Sequence, residues 1–443
     1  FTAAAKRHMD ECTRACARMR AGLRVLRQNA VAYTAFTLAN RAMFMQRLHG
    51  AAQAKMAAIQ ADRYPDDADI AAWLDAVDYR TASDETARWR PFQIAFFLMN
   101  IDAVTDSTSP ARDLIDLIWF PTGGGKTEAY LGLTAFTIFY RRLAYPKEAD
   151  GTAVIMRYTL RLLAAQQFTR AATLICACEL IRRDMGQTPA CTSPPLGGAP
   201  ISIGLWIGGK HTPNRVDGKD GAAEHLLLNS TPQKVQTDKE NHHKFQVLKC
   251  PWCGTKLVQD AARDHLIGAW GYRVDAAQKH FSMYCPHPRC PFHDVLPIQV
   301  VDEELYRTPP TLLFGTVDKF AMLPWNGKIG AFFATDSANR TPELIIQDEL
   351  HLISGALGTL VGLFETAVDA LCMQKGIAPK IIASTATIRH AKAQCAALYN
   401  RDVAQFPPPG LCAEDSFFAK ESVLAPERVL TAVAAGKQRP TRL

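Results

Sequence analysis

The sequence predicts an α/β protein built on a parallel sheet that carries a phosphate-binding loop, with a helical N-terminal region and a metal-binding insertion. Three observations lead there. Residues 114–131 read as a short apolar strand, a glycine turn closed by Lys126-Thr127, and a helix. Further apolar runs of strand length, at 152–158, before Gly315-Thr316, at 343–347 and from Lys380 onward, alternate with helix-like stretches in the rhythm of βαβ units. Two cysteine pairs, Cys250/Cys253 and Cys285/Cys290, fall in a long interruption of that rhythm.

The bulk numbers narrow the class. A chain of 443 residues exceeds what one compact core serves, so two or three domains are expected. Hydrophobic residues at 48% and charged residues at 21% describe an ordinary globular chain, not a disordered or fibrous one. No uninterrupted apolar stretch of membrane-spanning length stands out and no signal-peptide layout opens the chain, which predicts an intracellular, cytoplasmic protein. Net charge of +7 is compatible with a nucleic-acid partner without requiring one. Twelve cysteines in that setting argue for thiols and metal ligands over a disulfide framework. Phe1 in place of Met predicts that a segment precedes this chain.

Residues 1–88 are expected to form a helical N-terminal domain, because Ala, Arg, Leu, Met and Gln dominate its first sixty positions without proline. Arg14, Arg18, Arg20, Arg24 and Arg27 make that start basic, which suits a solvated helix face or a surface for nucleic acid or a partner. Residues 89–184 hold the first part of the sheet lobe. The turn Thr122-Gly123-Gly124-Gly125-Lys126-Thr127 lets backbone N–H groups approach phosphates, Lys126 reaches the β/γ-phosphates, and the Thr127 hydroxyl can ligate Mg²⁺. Thr159 and Arg161 follow the strand at 152–158. They suit backbone phosphate contacts, or an ordinary helix start with Thr159 as N-cap.

Residues 185–308 read as an inserted module, since the 222 positions between Lys126 and Asp348 are about twice what one nucleotide-binding lobe needs. Cys250, Cys253, Cys285 and Cys290 have the paired spacing of a structural zinc site; His287 or His293 could replace a cysteine, though both read more readily as bystanders. Loss of that metal is expected to unfold the insertion and spare the nucleotide site. Residues 309–400 complete the lobe. There a strand ends in Asp348-Glu349, which places one carboxylate to hold Mg²⁺ and a second to activate water; the order, after the phosphate loop, is right for ATP hydrolysis. Residues 401–443 read as a linker toward a second lobe that this chain lacks.

These motifs together resemble the first RecA-like lobe of superfamily 2 (DExH) helicases. Arg90-Pro91-Phe92-Gln93 resembles the glutamine motif that reads adenine, and a glutamine amide can pair with adenine's N6 and N7. Thr159 and Arg161, and the Gly315, Thr316 and Lys319 segment, resemble the segments that grip a nucleic-acid backbone; Thr385-Ala386-Thr387 resembles the helicase Ser-Ala-Thr motif. The loop sequence, the zinc-bearing insertion, Gln347-Asp348-Glu349-Leu350-His351 and Phe406-Pro407-Pro408-Pro409-Gly410 are similar to the helicase subunit of DISARM anti-phage systems (DrmA-type). That resemblance implies ATP and Mg²⁺ as cofactors beside zinc, a DNA substrate bound without sequence preference, and a DrmB-type partner subunit. The motifs alone leave two other functions open: a DExH RNA helicase, and a nucleotide-switched module that binds DNA or a partner without motor activity.

Overall fold

The computed structural model describes residues 2–62, 67–79, 88–120, 123–159, 161–186, 195–228, 244–258, 271–275, 277–385, 391–410 and 417–418. Thr122 and the Ala386–Thr387 part of the Ser-Ala-Thr-like turn lie outside them. The helices are α1 (Thr2–Gln28), α2 (Ala30–Asp62), α3 (Asp67–Ala76), α4 (Pro91–Thr105), α5 (Pro110–Asp113), α6 (Lys126–Ala144), α7 (Arg161–Gly186), α8 (Ala222–Leu228), α9 (Asp302–Arg307), α10 (Gly355–Met373) and α11 (Ala391–Tyr399). The strands are β1 (Ile115–Trp119), β2 (Val154–Tyr158), β3 (Ile203–Trp206), β4 (Tyr272–Asp275), β5 (His280–Met283), β6 (Ile298–Gln299), β7 (Leu312–Thr316), β8 (Leu344–Gln347), β9 (Lys380–Thr385) and β10 (Val403–Phe406).

Eight strands form one parallel sheet in the order β10-β1-β9-β8-β2-β7-β3-β6, and β4 and β5 make a separate antiparallel pair. The central strands are buried on both faces, as a sheet covered by helices on each side requires. Helix α6 is the clearest consequence: every residue from Ala129 to Arg142 is buried. The expected fold class, a RecA-like lobe with a parallel sheet, N-terminal helices and a cysteine-bearing insertion, is what the chain adopts.

The expected domain bounds change in three places. Helices α1 and α2 share one hydrophobic core with α4, α6 and α7, so the N-terminal region is a layer of the lobe and not a detached unit. Arg18 anchors it: both terminal guanidinium nitrogens lie 2.6 Å from the Asp116 carboxylate of β1, which also sits 2.7 Å from Lys380 of β9. That arginine is therefore a structural cation, not part of a solvated or ligand-binding face. The 185–308 module is interrupted, because β3 and β6 both belong to the main sheet. Strands of four and two residues leave too little pattern to read amid Pro, Gly and polar residues. Finally, β10 lies in the expected linker yet pairs with β1 as the edge strand.

One helix bears on the expectation that no uninterrupted membrane-length apolar stretch occurs. Helix α10 is long and apolar enough, by length and composition, to cross a membrane. Here it lies along the sheet, with Val361, Glu365, Val368 and Cys372 buried and Leu357, Leu360 and Leu363 exposed. Its Glu365 carboxylate is 2.5 Å from Arg157 of β2, a buried ion pair that ties the helix to the sheet.

Candidate nucleotide site and metal centre

In a parallel sheet the loops at the carboxyl ends of the strands converge, and they do so here after β1, β8 and β9. The loop after β1 turns through Gly123 and Gly125 at φ of +79° and +94°. A side chain at Gly125 would be strained by that backbone and would also meet Gln93 Nε2 at 2.7 Å, so glycine is required twice over. Lys126 opens α6, and its ammonium donates to the Phe120 carbonyl at 2.8 Å and the Thr385 carbonyl at 3.4 Å, closing the loop over the strand ends. Burial pulls its pKa down, while Asp348 and Glu349 act in the other direction.

Asp348 and Glu349 follow β8. The Asp348 carboxylate accepts from the Tyr130 hydroxyl at 2.7 Å and from the Glu349 N–H at 2.9 Å. Tyr130 also reaches the Thr127 hydroxyl at 3.2 Å, so one buried phenol joins the two oxygen donors expected to serve a divalent cation. Those donors are hard oxygens, which suits Mg²⁺. Glu349 has left-handed backbone geometry at φ +49°, a strained conformation that places its carboxylate beside the loop. Burial first, then Asp348, raises its pKa above the ordinary glutamate range, partly offset by His351 and Lys126. His351 Nδ1 lies 3.4 Å from both the Glu349 carboxylate and the Thr385 hydroxyl, linking β8 to β9.

Gln93 lies against the loop. Its Nε2 donates to the Gly125 carbonyl at 2.9 Å and its Oε1 accepts from the Arg90 N–H at 2.9 Å, which uses one donor and one acceptor of the amide. Arg90 donates to the Gly124 carbonyl at 2.7 Å. A cavity of about 400 Å³ lined by Gly123, Lys126, Thr127, Asp348, Glu349 and Gln93 gathers the expected nucleotide residues in one place.

Sequence reasoning missed Tyr130, because a tyrosine in an apolar helix reads as core. Its spacing offered one signal: it stands three residues after Thr127, hence on the same helix face.

The expected backbone contacts fare less evenly. Among the described residues the Thr159 hydroxyl is buried without a hydrogen-bond partner, and α7 starts two residues later at Arg161. Thr316 is buried at the end of β7, opposite Tyr158 of β2, with Gly315 before it. Lys319 needs correction: its ammonium pairs with Asp302 at 2.7 Å and lies 5.1 Å from the Trp206 ring, so its charge is already balanced inside the protein.

The four cysteines meet in one buried cluster, with all sulfurs within 4.8 Å of one another. A tetrahedral zinc with bonds of about 2.3 Å holds its sulfurs about 3.8 Å apart, so the cluster fits that ion. Two tight turns build it. Gly254 N donates to Cys250 O at 2.9 Å with Gly254 at φ +79°, and Cys290 N donates to His287 O at 3.1 Å. Both histidines stand aside as expected: His287 Nδ1 accepts from Arg289 N at 3.3 Å and His293 Nδ1 donates to Cys285 O at 2.9 Å.

The fold and site define the class: a P-loop α/β lobe with a four-cysteine knuckle. Over an alignment of 382 positions that covers 76% of this chain, the sequence is 39% identical to the DISARM protein DrmA of Bacillus paralicheniformis, and the chain spans 32% of that relative's length. The resemblance to DrmA-type proteins thus extends over three quarters of the chain. No family model matches. Among solved structures, DUF1998 helicase MrfA aligns with 77% of this chain and 32% of its own at 12% identity and a TM-score of 0.37. Mycobacterium smegmatis helicase Lhr, bound to ssDNA and AMP-PNP, aligns with 73% and 28% at 15% identity and a TM-score of 0.36.

Proposed function

We propose that the chain is the nucleotide-binding lobe of a cytoplasmic, ATP-dependent DNA helicase or translocase that serves an anti-phage defence system. The observation that carries this reading is the meeting of Lys126, Thr127, Asp348 and Glu349 around one cavity, with Tyr130 holding Asp348 and Thr127 together. Lys126 and the backbone of Gly123, Gly124 and Gly125 bind the phosphates, Thr127 and Asp348 hold Mg²⁺, and Gln93 uses its remaining donor and acceptor on adenine. Bound Mg²⁺ supplies charge neutralisation on the phosphates. Glu349, raised in pKa and aimed into the cavity, takes the proton of the attacking water. The similarity to DrmA supports the defence role, and a DrmB-type subunit is the partner it suggests.

DNA is engaged through the strand ends after β2 and β7, with Arg161 and the backbone of the turn at Thr316 as contacts. The cysteine knuckle is proposed to hold zinc. The test of motor activity is ATP turnover by the full-length protein with and without DNA. Many-fold stimulation by DNA supports the motor; turnover indifferent to DNA contradicts it, and stimulation by RNA in place of DNA would move the substrate assignment.

A further inference from the structure

A second cavity, of about 690 Å³, opens beside the phosphate seat. Arg47, Arg88, Gln93, Glu128 and Arg170 line both, so the larger space begins where the smaller one ends. Its walls come from α2, the Trp89 segment and α7, and they combine aromatic rings (Phe44, Tyr79, Trp89) with amides and guanidinium groups. A flat ring with hydrogen-bonding edges on a hydroxylated sugar needs such a lining.

The floor of this cavity is also a seat. Gln53 and Thr173, both lining it, donate to the Pro251 carbonyl, Thr173 at 2.9 Å. Tyr79, a third lining residue, donates to His49 Nε2 at 2.6 Å, and His49 Nδ1 donates to the Trp252 carbonyl at 2.7 Å. The Trp252 carbonyl fixes that tautomer, because a carbonyl only accepts. The His49 ring also stacks on Trp252 with centroids 3.4 Å apart. Pro251 and Trp252 are the residues between Cys250 and Cys253. The groups that floor the cavity thus hold the metal-binding turn on their other side.

We infer that this cavity takes the nucleoside end of the nucleotide, and that the zinc knuckle, through Gln53, Thr173 and the His49–Tyr79 pair, braces its wall from behind. The inference rests on the proposed ATP reading of the Lys126 loop and goes beyond it: α2 and the knuckle become determinants of nucleotide affinity. The two are linked in both directions, since any coupling between two bound species is reciprocal. Metal loss then does not spare the nucleotide site.

The experiment compares binding of ATP and of inorganic tripolyphosphate by the full-length protein. Gly50 lines the cavity and a Cβ built there meets nothing within 4 Å, so Gly50→Leu and Gly50→Trp fill the space without disturbing their neighbours at that atom. ATP affinity should fall in the order of side-chain size, by roughly tenfold or more for Gly50→Trp, while tripolyphosphate, seated only in the loop, binds as before. Thr173→Val with Gln53→Leu should weaken ATP and not tripolyphosphate. In the wild type, ATP should slow zinc release to a chelator where tripolyphosphate does not. Unchanged ATP affinity in both Gly50 variants, or zinc release indifferent to ATP, overturns the inference. Binding of neither ligand to the wild type would instead remove the reading of the loop itself.

Discussion

At the scale of single residues, chemistry that is local in the chain was legible and chemistry assembled by the fold was not. Gly125, Lys126 and Asp348-Glu349 announce themselves because a glycine turn before Lys-Thr, and paired carboxylates after an apolar run, each need only neighbouring residues to make sense. Tyr130 and Asp116 do not, since their partners lie 218 and 264 positions away, at Asp348 and Lys380. Tyr130→Phe removes the hydroxyl that orients Asp348 and Thr127 and leaves the ring's packing. Its ATP turnover should fall about tenfold with folding intact, measured by steady-state turnover beside thermal unfolding. Asp116→Asn leaves Arg18 and Lys380 facing each other in the core without their shared anion. It should cost about 3–5 kcal/mol of stability, read from denaturant unfolding.

The raised pKa of Glu349 carries a pH dependence. A base works when deprotonated, so turnover should climb with pH through a pKa above the usual glutamate range and then level off. A profile with no acidic limb would deny Glu349 that role. For stability the sign is opposite to that of a paired carboxylate. A folded-state pKa above the unfolded value means that ionisation at higher pH weakens the fold slightly at this group.

At the scale of elements, the strand and helix alternation was read from periodicity, whereas the boundaries were misplaced wherever an element was short. Ile203–Trp206 and Ile298–Gln299 join the main sheet from within a stretch whose composition says loop. Only the strand ladder, a long-range property, makes them strands. The cysteine turns were legible for the opposite reason, because metal ligation fixes spacing within each pair. The purified protein should contain one zinc per chain, and Cys250→Ala with Cys285→Ala should abolish it, as metal analysis will show. Full zinc retention in that double variant would assign the metal elsewhere.

At the scale of the whole molecule, the sheet brings together residues that span nearly the full chain: Arg18 of α1 and Lys380 of β9 meet on Asp116, while β10 closes the edge beside β1. Composition cannot show this, and a basic N-terminus read as a surface is in part the clamp that fastens α1 to the sheet. For the proposed DNA contacts, affinity should fall as salt rises, with a slope set by the phosphates engaged and little dependence on sequence. Binding that ignored salt, or that chose strongly among duplex sequences, would count against backbone recognition.

The most direct measurement pairs ATP binding with ATP turnover in the full-length protein for wild type, Lys126→Ala and Glu349→Gln. Lys126 contributes charge to the phosphates in both ground and transition states, so its loss should reduce binding and turnover together. Glu349→Gln keeps the shape of the site and removes the base. ATP should remain bound at near wild-type affinity while turnover falls by about a hundredfold or more. Wild-type turnover in Glu349→Gln would contradict its role as the base, and turnover unaffected by Lys126→Ala would contradict the site as a whole.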